Sequence, residues 1–214
     1  MIGDAIQIKA EYFDTADAIL ALLPYWGRER KVILVGGESG SGKSVTALCL
    51  QQRLEQHGFA PLVLHQDDYF QLPPASNHEK RQRDIQWVGP HEVKLDLLQA
   101  HIHAFLNHAP AIVKPLVNYD ANEILEETVE LSPYEVLIVE GTYALMLEGA
   151  FLSVFMDLDY RQTLQQRLQR NREGFDPFIE QVLEIEHLLI RALRPKAHVL
   201  VQSDYSVRLQ PSVS

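Results

Sequence analysis

The stretch Gly37-Glu38-Ser39-Gly40-Ser41-Gly42-Lys43-Ser44 decides the fold. It matches G-x-x-x-x-G-K-[ST] at every fixed position. The apolar run Lys31 to Gly36 precedes it, and a helical segment from Val45 to His57 follows. A glycine-rich turn between strand and helix points successive backbone N–H groups inward and adds the positive end of the helix, which suits phosphate oxygens. In that pattern Gly37, Ser39, Gly40, Ser41, Gly42, Lys43, Ser44 and Val45 supply the cradle. Lys43 reaches toward β- and γ-phosphates, and the Ser44 hydroxyl sits on a magnesium ion.

Working outward, five short apolar runs lie at Lys31 to Val35, Leu62 to His65, Glu135 to Val139, Leu152 to Met156 and His198 to Val201. Strands without alternation are buried on both faces, as in a parallel sheet flanked by helices. The segments between them predict those helices: Ala18, Ile19, Leu22 and Leu23 form one stripe, capped by Asp14. Leu95, Leu98, Ile102 and Phe105 form a second, and Phe178, Val182, Ile185, Leu189 and Ala192 a third, opening at Asp176-Pro177. The alternation predicts a doubly wound α/β fold. Gln71 to Gly89 is polar and proline-bearing and reads as a long surface loop. Residues 112–131 read as two strands joined by a turn near Asp120 to Asn122.

The formal net charge of −10 disfavours nucleic acid and anionic membrane as partners. One cysteine, Cys49, excludes an intrachain disulfide and a cysteine metal cluster. The first residues lack a basic and apolar leader pattern, and no run reaches the length of a membrane span, so the setting expected is cytoplasmic. The length of 214 residues suits one domain, 1–214, with an N-terminal helix and connector over 1–30, the hairpin over 112–131 and a lid over 161–176.

Chemistry is expected where strands end. The second apolar run ends in His65-Gln66-Asp67-Asp68-Tyr69, and ligands bind beyond the carboxyl ends of strands in open α/β sheets. Of the two acids, only one is expected to point inward, able to accept a proton from an attacking hydroxyl or to hold a metal. Glu140, before Gly141, ends the third run and suits a metal beside the phosphate loop, with the glycine leaving room for phosphate or substrate. From Arg161 to Arg172 there are four arginines and no acid. Arg167 and Arg170 share a helix face and suit phosphoryl oxygens. His101, His103 and His108 do not converge as metal ligands and read as solvated.

Taken in order, GESGSGKS, QDDYF, Trp87 to Pro90, VNYD at Val117 to Asp120, VEGTY, RLQRN and PKAHVLV resemble the uridine kinase and phosphoribulokinase family. The resemblance spans about Val32 to Val201. It implies a P-loop fold with a five-stranded parallel sheet in the order 2-3-1-4-5, a hairpin over the acceptor and an arginine-bearing lid. It further implies transfer of the ATP γ-phosphate to a hydroxyl of a small molecule, with ATP and Mg²⁺ as cofactors. Asp67 would then be general base and metal-shell residue, with Ser44 and Glu140 supporting the metal and Lys43, Arg167 and Arg170 on the moving phosphate. Asp67, Tyr69, Trp87 and Tyr119 would form the acceptor wall, with Asp84 close by although it is not the aligned residue. Uridine or cytidine is the first acceptor implied. A sugar, sugar phosphate or organic acid is the alternative, as is a nucleotide-binding regulator without turnover, and self-association is compatible with either.

The sequence departs from the family on the nucleoside side. Val88 stands where uridine kinases carry a ribose-binding aspartate, and Ala121, Asn122, Glu123 and Ile124 follow where they carry a base-reading histidine. The lid is shorter as well.

Overall fold

The computed structural model describes residues 8, 10–22, 27, 29–163 and 177–210. At its centre is β1 (Lys31–Gly37), buried along its whole length. Beside it lie β5 (Val136–Glu140) and β6 (Leu152–Met156), with β2 (Pro61–His65) outside β5 and β7 (Val199–Val201) outside β6. These five strands are mutually parallel, in the spatial order β2-β5-β1-β6-β7, which is the 2-3-1-4-5 order expected. A sixth strand, β8 (Val207–Leu209), pairs antiparallel with β7 and was not anticipated, since three residues carry too little pattern.

The sheet is apolar on both faces because both are covered. Val32 and Leu34 pack with Leu64, Leu98, Ile102, Phe105 and Leu145 on one face, where α4 (Leu95–Leu106) lies. Ile33 and Val35 pack with Ile19, Leu50 and Leu54 on the other, beneath α1 (Ala10–Ala21) and α2 (Lys43–Gln56). The hairpin is β3 (Ala111–Asn118) and β4 (Glu123–Glu130), a separate two-stranded antiparallel sheet in which Asn118 faces Glu123 across the turn.

Four readings are corrected. The span Gln71 to Gly89 is not a plain loop: it holds α3 (Pro74–Arg83) with Pro74 in the first turn, and only Asn77 of the helix is buried. A helix polar all round has no stripe to detect, and its support comes from partners elsewhere. In α1 the buried positions are Tyr12, Thr15, Ala16, Ile19 and Leu20, and the helix begins before Asp14. In α5 (Pro177–Arg191) the inward face is Val182, Leu183, Glu186 and Ile190, while Leu189 is exposed. A buried glutamate interrupts the apolar pattern and shifts the apparent stripe. Finally, His101 is not solvated: it is buried on α4, and the Tyr69 hydroxyl lies 2.8 Å from its Nδ1. Burial pushes its pKa down, with the Lys114 charge adding to that effect.

Candidate active site

The phosphate loop leaves β1 at its carboxyl end and enters α2 through Gly42, which adopts a left-handed conformation at φ 94°. A side chain there would also strike the Tyr12 ring, 3.0 Å from an added Cβ, so α1 closes the back of the loop. No side chain caps α2, and its first turn holds no acid, so the N–H groups of that turn, that of Val45 included, suit an anion with no negative side chain to oppose it. The Val45 side chain itself is core. Ser41 Oγ is buried without a hydrogen-bond partner, an orphan that a phosphate oxygen would satisfy. By this test the loop fits a polyphosphate.

Lys43 donates from Nζ to the Glu38 carbonyl at 2.8 Å, and the Ser41 N–H reaches the same oxygen at 3.2 Å. The Glu38 side chain turns away from the cradle. Its Oε2 accepts from the Tyr160 N–H at 2.7 Å, and its Oε1 accepts from His187 Nδ1 on α5 at 2.8 Å. Thr163 Oγ1 donates to the Ser39 carbonyl at 2.9 Å. Arg167, Arg170 and the rest of the expected lid over 164–176 lie outside the described residues.

Glu140 ends β5 in register with Val35 of β1 and His65 of β2. Its carboxylate is buried and lies 2.7 Å from His65 Nδ1. Burial alone would raise its pKa, but the His65 hydrogen bond and charge, then Lys43 and a hydrogen bond from Ser44, hold it below the ordinary value. Burial likewise opposes charge on His65, and Glu140 outweighs it, so that imidazole is raised. Ser44 and Glu140 are thus brought together beside the loop, oxygen donors of the kind a divalent cation takes. His65 was missed by sequence reasoning: as the last residue of an apolar run it carried no signal until the strand register was known.

The space beside Glu140 is not empty. A Cβ on Gly141 would fall 2.2 Å from Gln66 Cβ, so the glycine admits Gln66, whose Oε1 accepts from the Tyr143 N–H at 2.7 Å. Gln66, and not open space for phosphate or substrate, lies against Gly141, and it starts the next turn, Gln66–Tyr69.

On this turn the two acids separate. Asp68 is fully buried, accepting from Lys114 Nζ at 2.9 Å and from the Val117 N–H at 3.0 Å, and so ties the hairpin to the sheet. Asp67 is half-buried, two residues beyond His65, the strand-end residue paired with Glu140. Tyr69, expected on the acceptor wall, has no exposed surface. Its ring is core, because its hydroxyl is spent on His101.

Of the other residues expected on the acceptor wall, Asp84 and Trp87 lie against the end and side of α3. Trp87 is half-buried, donates from Nε1 to Asn77 Oδ1 at 2.8 Å, and carries the Lys80 ammonium over its ring. Asp84 is exposed and uses Oδ1 to cap the turn Ile85–Trp87. Tyr119 is half-buried at the end of β3. Val88 is buried. Asn122, at the hairpin turn, accepts from the Ala75 N–H at 2.8 Å and donates to Ser76 Oγ at 3.3 Å. The hairpin therefore supplies the N-terminal cap that α3 lacks of its own. Beneath them the buried Glu92 accepts from Asn77, Arg81 and the Gly89 N–H, and Arg81 also reaches Glu186 on α5.

Among known proteins, the model of the phosphoribulokinase / uridine kinase family matches residues 32–189. A bifunctional α-galactosidase/sucrose kinase of Mediterraneibacter gnavus is 31% identical over 83% of this chain, which spans only 20% of that protein's length. A uridine kinase of Anoxybacillus flavithermus is 30% identical over 73% of this chain and 75% of its own. In fold, phosphoribulokinase from Rhodobacter spheroides superimposes with a TM-score of 0.61 at 12% identity, covering 87% of this chain and 77% of that one. With the family model spanning most of the chain and relatives at this identity, the protein belongs to the phosphoribulokinase / uridine kinase family and is a phosphotransferase acting on a hydroxyl group.

Proposed function

We propose that this protein transfers the γ-phosphate of ATP to a hydroxyl of a neutral, polyhydroxylated metabolite of the sugar class. The observation that carries the kinase reading is the register of Glu140 with His65, which sets Glu140 and the Asp67 turn at adjacent strand ends beside Lys43 and Ser44. Asp67 takes the proton of the acceptor hydroxyl as its oxygen bonds to the γ-phosphorus; the bond to the β-phosphate oxygen breaks and ADP leaves. Lys43, with Arg167 and Arg170, balances charge on the transferring group. Ser44, Glu140 and Asp67 would hold Mg²⁺, which when bound neutralises phosphate charge.

The acceptor class rests on the wall opposite. Val88 is apolar and buried, and Asn122 is committed to α3, so neither reads a ribose or a base. Among the described residues, Arg81 and Lys114 are already held by carboxylates and the Lys80 ammonium lies over the Trp87 ring, which favours an uncharged acceptor over a sugar phosphate. A uridine or cytidine acceptor is the second reading, favoured by the relatives that are uridine kinases. A cytoplasmic setting fits a kinase drawing on ATP, and the net charge fits small-molecule rather than nucleic-acid partners.

An ADP-release assay across hexoses, disaccharides, polyols, sugar phosphates, hydroxy acids and nucleosides tests this. Turnover is expected with neutral sugars. Uridine or cytidine used at the higher kcat/KM would reverse the ranking, and ADP release that no acceptor stimulates would remove the kinase assignment.

A further inference from the structure

Glu38 is an anomaly: a carboxylate inside a loop shaped for phosphate. It is 3% exposed, so it cannot be dismissed as a solvated surface acid. A buried carboxylate persists only where donors meet it. Both of its oxygens are met, by the Tyr160 N–H and by His187 Nδ1, and the rings of Tyr160 and His187 pack edge to face at 5.8 Å. The backbone of the same residue presents the carbonyl that holds Lys43 and Ser41. One residue thus joins three elements: its side chain grips the chain after β6 and the middle of α5, and its peptide seats the phosphate-binding lysine.

We infer that Glu38 is a positioning residue for nucleotide binding, a strut that sets the phosphate loop and Lys43 by bracing them on Tyr160 and His187. The inference rests on the reading of Gly37 to Ser44 as a nucleotide site. Without the carboxylate, the carbonyl that seats Lys43 is free to turn and the N–H groups of the loop no longer converge on one anion. Two hydrogen bonds to a charged group are lost, which corresponds to about tenfold or more in affinity.

The test measures ATP binding by calorimetry on the full chain without acceptor, so that turnover is not the readout. Glu38→Ala is expected to weaken ATP about tenfold or more. His187→Ala removes the same brace at a side chain that is partly exposed, and is expected to weaken ATP in the same direction. The double variant is expected to fall short of the summed effects, because both act through one contact. Glu38→Gln recovers most of the loss: its amide oxygen takes the place of Oε2 and accepts from the Tyr160 N–H, and its amide nitrogen donates to His187 Nδ1 once that ring shifts its proton to Nε2. Binding by Glu38→Ala and His187→Ala at the wild-type affinity, or strict additivity of the two, overturns the inference while the nucleotide site stands. Failure of the wild type to bind ATP overturns the site itself and the inference with it. Should Glu38→Ala not fold, His187→Ala and Glu38→Gln decide the matter.

Discussion

Lys114 sends its ammonium to Asp68, and that contact separates two adjacent acids. Asp68 is buried beneath the hairpin and is satisfied by a lysine and a backbone N–H, so its work is structural. Substituting Asp68→Asn leaves Lys114 buried with Glu127 as its remaining carboxylate, beside the Pro115 carbonyl, and should cost about 3 kcal/mol in urea denaturation. Asp67→Asn, at a half-buried position, should cost less stability than Asp68→Asn at its fully buried one. It should lower kcat about 100-fold or more, the scale of a lost general base, with ATP affinity nearly kept. Equal turnover in both variants would withdraw Asp67 as base. A different residue sets a control on the fold: Cys49 has no exposed surface, and burial pushes its thiol up to about 11. A thiol reagent at pH 8 should therefore label it only after denaturant is added. Labelling of the native protein within minutes would mean that the face between α2 and the sheet opens readily.

At the level of elements, the connections that sequence could not reveal are polar ones. The helix α3 has no apolar stripe, yet it is held by Asn77 and Arg81 on Glu92 and capped by Asn122 from the hairpin. The face of α5 is set by Glu186, because Arg81 needs a second carboxylate. Each depends on a partner far away in sequence, which periodicity cannot supply. The end of α5 is fixed in the same way: Asp157, just beyond β6, accepts from Arg191 and, with both oxygens, from Arg194. Burial would raise the Asp157 pKa, but the Arg194 hydrogen bond and charge, then Arg191, hold it below the ordinary carboxylate value. A carboxyl depressed in the fold stabilises above its unfolded pKa, about 3.9, and loses that contribution as pH falls through the lower folded value. Asp157→Asn should accordingly cost about 1 kcal/mol at pH 7, a figure kept small because solvent screens a partly exposed pair. The difference from wild type should shrink steadily below about pH 4. A gap that is constant with pH would show that packing, not charge, is what Asp157 provides.

Across the whole molecule, the half of the site built by backbone was legible and the half built by side chains was not. The phosphate loop, the five strands, the hairpin and the strand-end position of Glu140 follow from local pattern, whereas the order of the strands follows from the family resemblance. The roles of Glu38, His65, Gln66 and Asn122 arise only once strands and helices are assembled. Because the loop proposed to bind nucleotide is preformed, with an uncapped helix and an orphan Ser41 hydroxyl, binding there should stabilise the fold without needing to create it. A ligand present at 100 times its Kd adds about 2.7 kcal/mol to the native state. For a chain of this size each kcal/mol moves Tm by about 2–4 °C, so ATP with Mg²⁺ should raise Tm by about 5–10 °C. Lys43 donates to a loop carbonyl and is half-buried, so Lys43→Ala should leave the unliganded Tm within about 2 °C. In that variant the shift on adding ATP should be largely lost. An undiminished shift in Lys43→Ala would mean that the nucleotide binds somewhere other than Gly37 to Ser44.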